Sequence, residues 1–320
     1  MRAWNNLCGR RLTIVTYHRV TPKRLDQIEN SLPTLFVTED TFRKHLTFYK
    51  KHYKIIRFSD LAGYACSSNM PHNLLMITFD DGYEDNCKYG SAILNEYNAP
   101  WTLFVATDKV SQKTVMWWDR LFALLTHLVK KPKKQFEEAI SLPSHLAEIV
   151  TQFRKNSSEL FADFNRRTMD ELLALIAELQ SYCTLSEETL VQENSFLNWD
   201  QANRLYPSAD IGSHTCSHTV LTGLPMTQVE QELFLSKETI QQYCHRAPLA
   251  FSYPAGLYAR EMVPLVGKAG YQFAVTQDRG VNDLSDPYTL KRINVWEGSA
   301  NLASGEFSFG FFAVRLLGII

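Results

Sequence analysis

The sequence has no C-x-x-C pair among its six cysteines, Cys8, Cys66, Cys87, Cys183, Cys216 and Cys244. A zinc knuckle or dithiol redox motif is therefore excluded, and the thiols read as unpaired. It also has no excess of either charge. Thirty-three Lys and Arg against 34 Asp and Glu leave a net charge of -1, so no global field exists to hold a nucleic-acid backbone and no nucleic-acid partner is expected. A long apolar run is missing as well: Phe307 to Ile320 is interrupted by Gly310 and Arg315 and falls short of the roughly 20 residues that cross a bilayer. That stretch reads either as a last core element or as a tail lying on a lipid surface. At the start, Arg2, Arg10 and Arg11 flank Asn5 and Asn6 with no apolar h-region behind them, which gives Sec-type export no support. A cytoplasmic location is expected, with peripheral docking at the inner membrane face left open.

What remains is ample material for a core. Hydrophobic residues make up 45%, aromatics 12% and charged residues 21% of 320 residues, unlike a disordered chain. Short apolar runs alternate with amphipathic stretches, the rhythm of βα units around a parallel sheet or barrel. Strands are predicted at Leu12 to Tyr17, Leu74 to Phe79, Trp101 to Ala106, Ala209 to Ser213, Leu249 to Tyr253 and Phe273 to Thr276. Between them, Thr41 to Tyr53 carries Phe42, Leu46 and Tyr49 on one helical face. Thr227 with Glu230 reads as a capping box opening a helix to about Cys244. From about 107 to 198 strand signals vanish and the chain turns helical and polar, with a helix from Met169 to Leu179, so this segment reads as an insertion. Lys130, Lys131, Lys133 and Lys134 around Pro132 form a solvated face or a contact for phosphate or acidic lipid.

Polar residues gather at the ends of the predicted strands, where the loops of an α/β barrel converge on one mouth. Tyr17-His18 follows the first, Asp80-Asp81-Gly82 the second, His214 and His218 a third, and Tyr253 a fourth. Asp-Asp-Gly is also common turn chemistry, and adjacent side chains on an extended strand diverge unless a turn redirects them. His214 and His218 stand four apart, a spacing that on one helical turn aligns two imidazoles for one divalent ion; a surface or capping pair is the alternative. Two histidines and one carboxylate supply three ligands and leave positions for water. A cation so held lowers the pKa of that water, and a neighbouring carboxylate can accept its proton, the chemistry of amide or ester hydrolysis.

Thr78-Phe79-Asp80-Asp81-Gly82 and His214-Thr215-Cys216-Ser217-His218 resemble the first two motifs of the polysaccharide deacetylases, carbohydrate esterase family four. Trp199-Asp200-Gln201 and Ile211-Gly212-Ser213 add to the likeness, which covers roughly residues 12 to 106 and 199 to 296. The resemblance implies an α/β fold, a distorted (β/α) barrel, here a single deacetylase domain over 1–320 with the helical insertion 107–198. It implies Asp80 as general base and Asp81, His214 and His218 as metal ligands. Ser252-Tyr253-Pro254-Ala255-Gly256 resembles the third motif, which implies Tyr253, through its backbone N–H, as oxyanion donor; Ala255 stands where permuted relatives keep a second tyrosine. No histidine follows His245, so the late Leu-x-x-His acid is missing. Tyr17-His18-Arg19-Val20 resembles the early Tyr-His motif of circularly permuted members, which implies His18 as the acid. Arg292 is either the base-orienting arginine or a surface residue, and Trp117 and Trp118 are either sugar platforms or core.

The function expected is metal-dependent removal of acetyl from an amino sugar, the substrate being an N-acetylated glycan or a lipid-linked sugar. Zinc is the default ion, with cobalt or nickel able to occupy the same ligands. An N-deformylase of a lipid-linked amino sugar would keep the same residues, and a catalytically silent carbohydrate-binding barrel would keep the fold. Sugar identity and oligomeric state are not written in the sequence.

Overall fold

The computed structural model describes residues 12–64, 72–130, 142–183 and 185–319. Cys8, Cys66, the early arginines Arg2, Arg10 and Arg11, and Lys131, Lys133 and Lys134 lie outside them. Of the remaining cysteines, Cys87, Cys216 and Cys244 are free thiols, and Cys183 is buried.

Ten strands are described: β1 (Leu12–Tyr17), β2 (Arg19–Thr21), β3 (Phe36–Thr38), β4 (Lys54–Ile56), β5 (Leu74–Phe79), β6 (Trp101–Val105), β7 (Ala209–Ser213), β8 (Ala250–Ser252), β9 (Phe273–Val275) and β10 (Ile293–Asn294). β2 and β3 form a small parallel pair. The other eight make one parallel sheet in the order β10-β1-β5-β6-β7-β8-β9, with β4 against the first half of β5. Leu290 bridges Val275 in parallel, and three residues later β10 pairs with β1, so one short segment connects β9 to β1. The result is the curled sheet of a distorted (β/α) barrel, as expected from the alternation of apolar and amphipathic segments.

Both central strands β1 and β5 are buried along their whole length. That is the pattern of a parallel sheet covered on two faces. On one side Val15, Tyr17, Leu75, Ile77, Phe79 and Trp101 join the helix Glu39–His52 through Phe42, Leu46 and Tyr49. Alternate residues, Leu12, Ile14, Leu74 and Met76, pack with Phe58, Phe104 and Phe273 on the other. The C-terminal helix Phe309–Leu316 inserts Phe312 and Leu316 into the first of these clusters. The stretch from Phe307 is therefore a core element on that face, although Phe309 and Ile319 remain exposed. Among the described residues no helix is long and apolar enough to cross a membrane.

The long helix Met226–Cys244 starts one residue before Thr227, on Pro225, which provides no side-chain cap. The capping box expected at Thr227 is not what opens it. A true one occurs at Thr168 and Glu171, before the helix Met169–Gln180.

Contacts divide the chain into two units. The first contains Met1–Pro22, Phe36–Gln112 and Phe196–Ile320, and holds the whole sheet; the second contains Lys23–Leu35 and Lys113–Ser195 and is helical. Within the second, Trp118 is buried and Trp117 stacks on Phe161 at 6.4 Å between centroids, so both indoles serve helix packing there. Lys130 pairs with Glu29.

Candidate active site

His18, Asp80, Asp81, His214, His218 and Tyr253 stand past the C-terminal ends of strands, where parallel chains open into loops, whereas Arg292 immediately precedes β10. Asp80 and Asp81 follow β5. The chain leaves its extended path there: Asp81 has φ 74° and Gly82 φ 85°. This left-handed step cancels the alternation that would send the two carboxylates to opposite faces, and both come within 4 Å of one imidazole. His214 Nε2 lies 3.9 Å from Asp80 Oδ2 and 3.7 Å from Asp81 Oδ1. Gly82 suits the turn because it carries φ > 0 without strain.

His214 and His218 are not on a helix. They flank an irregular loop after β7 in which Thr215 (φ 67°) and His218 (φ 66°) are both left-handed. The helical alignment expected from their spacing is thus replaced by a loop, yet the outcome for the rings is similar: the imidazoles meet edge to face at 4.7 Å. His218 Nε2 reaches Asp81 Oδ1 at 3.1 Å.

One hydrogen bond fixes what this cluster can hold. His214 Nδ1 lies 2.7 Å from the Ser252 carbonyl, and a carbonyl only accepts, so Nδ1 carries the proton and Nε2 presents a lone pair. Burial pushes this imidazole down to about 4, against the pull of the Asp80 carboxylate, so it is neutral near pH 7. A lone pair aimed at carboxylate oxygens is repulsive unless a cation lies among them. Ligand atoms of Asp81, His214 and His218 all fall within 4.8 Å of one another. Two imidazole nitrogens and a carboxylate oxygen, with an outer hydrogen bond fixing one ring, form a donor set suited to a first-row divalent ion.

Asp80 has a different neighbour. Arg292, 1% exposed, donates Nη1 to Asp80 Oδ1 at 2.8 Å and Nη2 to Oδ2 at 2.7 Å. Its remaining donors are taken by the Thr276 carbonyl and the Ser252 and Thr78 hydroxyls. Burial by itself would raise the Asp80 pKa; the guanidinium, helped by His214, overrides it and holds the carboxyl below its ordinary range. For Asp81 burial is likewise opposed, first by the bond from His218. Of the two readings open for Arg292, surface residue and carboxylate partner, the structure shows the second.

His18 follows β1, half-buried, and is near enough to lower both aspartates electrostatically. The structure thus gathers Asp80, Asp81, His214, His218 and His18. Tyr253 needs a correction. Its N–H donates to the Val275 carbonyl at 3.1 Å, continuing the β8–β9 ladder, so the donor expected for an oxyanion is committed to the sheet. The side chain is fully buried, packing on Phe251 and Tyr258.

Comparisons with known proteins bear on the family and on the fold. The polysaccharide deacetylase family profile matches residues 67–274, a range that contains Asp80, Asp81, His214 and His218 but not His18 or Arg292. A curated relative from Bacillus subtilis (strain 168), YxkH, which carries the name of a polysaccharide deacetylase, is 34% identical over 98 residues, 30% of this chain and 35% of that protein. This chain thus matches only about a third of that relative's length. Among solved structures, Streptococcus pyogenes deacetylase PplD, in complex with acetate, is similar at 16% identity with a TM-score of 0.59, over 90% of this chain and 94% of that one. IcaB from Ammonifex degensii is similar at 14% identity with a TM-score of 0.60, over 98% of each chain. At such identities these two show the shared fold.

Proposed function

Because the chain belongs to the polysaccharide deacetylase family, we propose that it is a metal-dependent hydrolase that removes the N-acetyl group of an amino sugar in a polysaccharide or lipid-linked glycan precursor. Asp81, His214 and His218 would hold the ion, zinc by default and cobalt or nickel on the same nitrogen and oxygen donors. When bound, such a cation supplies a Lewis acid that polarises an amide oxygen and acidifies water.

The remaining work belongs to side chains. Asp80, ionised and aimed by two parallel bonds from Arg292, accepts the proton that a nucleophilic water gives up. His18, at the same mouth, returns a proton to the departing nitrogen, without which the amine is a poor leaving group. Arg292 keeps the base from rotating, and Ser252 holds the His214 ring through its carbonyl and touches Arg292 through its hydroxyl.

The observation that supports this reading above others is the convergence of a three-ligand cluster with a separate, arginine-held carboxylate 3.9 Å from one of its rings. A sugar-binding barrel has no use for a second buried carboxylate, held by its own arginine, beside a metal-type site. The test is acetate release from N-acetylated oligosaccharides by the zinc-loaded protein and its Asp80→Asn variant. We expect release by the wild type, a fall on the order of 10²-fold or more in Asp80→Asn, and the same zinc content in both. Equal rates for the two proteins, or no release from any N-acetylated sugar, would defeat the proposal; release of formate from a formylated sugar instead would identify a deformylase.

A further inference from the structure

Two residues one helical turn apart hold the loop that carries both histidines. Glu232, on the helix Met226–Cys244, accepts three bonds from the residues between them: Cys216 N–H at 2.7 Å, Ser217 N–H at 3.2 Å and the Ser217 hydroxyl at 2.8 Å. Ser236 stands four residues on and so on the same face. Fully buried, it accepts a bond from the Ser213 hydroxyl at 2.8 Å, immediately before His214, and donates to the Glu232 carbonyl at 2.6 Å. One helix face thus grips the loop at its root and at its tip.

Left alone, that loop would not keep its shape. Thr215 and His218 occupy the left-handed region, which costs a residue other than glycine roughly 1–2 kcal/mol. Successive N–H groups turned one way form a small anion-binding hollow, and here the protein's own carboxylate fills it. Bonds to an ionised acceptor are about twice as strong as neutral ones, enough for three of them to offset the strain.

We infer that Glu232 is a positioning residue which, with Ser236, braces the left-handed histidine loop from behind and sets the spacing of the His214 and His218 rings before any cation arrives. This rests on the metal-dependent reading above. It adds to that reading a residue outside the ligand set, whose bonds go to the residues between the histidines.

The experiment strips the protein of metal and titrates Co²⁺ into the wild type, Glu232→Gln, Glu232→Ala and Asp81→Ala, following visible absorption and competition with a chelator. Urea unfolding of each metal-free form is measured alongside. Outer supports of a metal site carry about 10- to 100-fold in affinity. We expect a loss of that order in Glu232→Ala, with altered cobalt bands, and a smaller loss in Glu232→Gln, which keeps one oxygen. The metal-free urea midpoints should stay near that of the wild type. Wild-type affinity and bands in both Glu232 variants, while Asp81→Ala binds no cobalt, overturn the brace alone. So does a drop in metal-free stability with cobalt bands unchanged, which marks a merely structural side chain. A wild type that takes up no cobalt overturns the deacetylase reading and the brace together. Should Glu232→Ala fail to fold, Glu232→Gln decides.

Discussion

Arg292 shows how much one side chain can contribute when every donor is used. Lysine at this position keeps the charge but cannot reproduce two parallel bonds to one carboxylate. Arg292→Lys is expected to lower kcat on acetylated substrate by at least about 10-fold with KM little changed, since the aim of the base is lost and not sugar binding. A variant with wild-type kcat would show that Asp80 needs no such alignment. At this scale the local motifs were legible through their resemblance to the family's first two motifs, since residue type and spacing alone left Asp80-Asp81 open as a turn and His214 with His218 open as a surface pair. Arg292 was not, because Lys-Arg-Ile-Asn contains nothing that separates a buried arginine from a surface one. Glu232 was invisible for the same reason, being one acid on a helix with several. Tyr253 misled because strand pairing, which no single segment contains, decides where a backbone N–H points.

Among the elements, β7 is the most constrained, because it delivers the histidine loop while wedged between β6 and β8. Gly212 makes this approach feasible. A Cβ there would stand 2.5 Å from Phe104 Cδ1 and 3.0 Å from the Ala250 carbonyl, closer than packed atoms tolerate. Gly212→Ala is therefore expected to destabilise the protein by about 1–3 kcal/mol, the usual cost of overpacking, read as a lower urea midpoint at unchanged slope. An unchanged midpoint would mean that β7 can shift. Long strands such as β5 were readable from apolar runs bounded by turn residues. Of the two- and three-residue strands, β8 and β9 were anticipated within slightly longer apolar runs, whereas β2, β3, β4 and β10 were not and owe their conformation to their neighbours.

For the molecule as a whole, stability against acid should follow His45, which lies where β1, the helix Glu39–His52 and the helix Phe309–Leu316 meet. Its ring is fully buried, bonded to the Tyr17 hydroxyl at 3.1 Å and stacked on Phe312 at 4.3 Å. Burial pushes its pKa from 6.5 down to about 3. Below pH 6.5 the unfolded chain takes up a proton that the folded chain refuses, so stability present at neutral pH declines until about pH 3. Between pH 6.5 and 5 that amounts to about 2 kcal/mol. Urea unfolding at pH 7 and pH 5 should show the loss, and His45→Phe should reduce the dependence to the share left by His214, whose pKa burial also holds down; a slope unaffected by that substitution would place the acid sensitivity elsewhere. Burial of this kind was not legible beforehand, because His45 sits in a helix among ordinary polar residues and its environment is assembled from segments more than 250 positions apart.

The pairing of β1 with β10, in register at Val15 with Ile293 and Thr16 with Asn294, also orders events during translation. Synthesis proceeds from the N-terminus, so Asp80, Asp81, His214 and His218 have all left the ribosome before Arg292 is made. Until that last segment docks, β1 keeps one open edge and Asp80 lacks its counter-ion. The sheet is therefore incomplete on that side until β10 has been made.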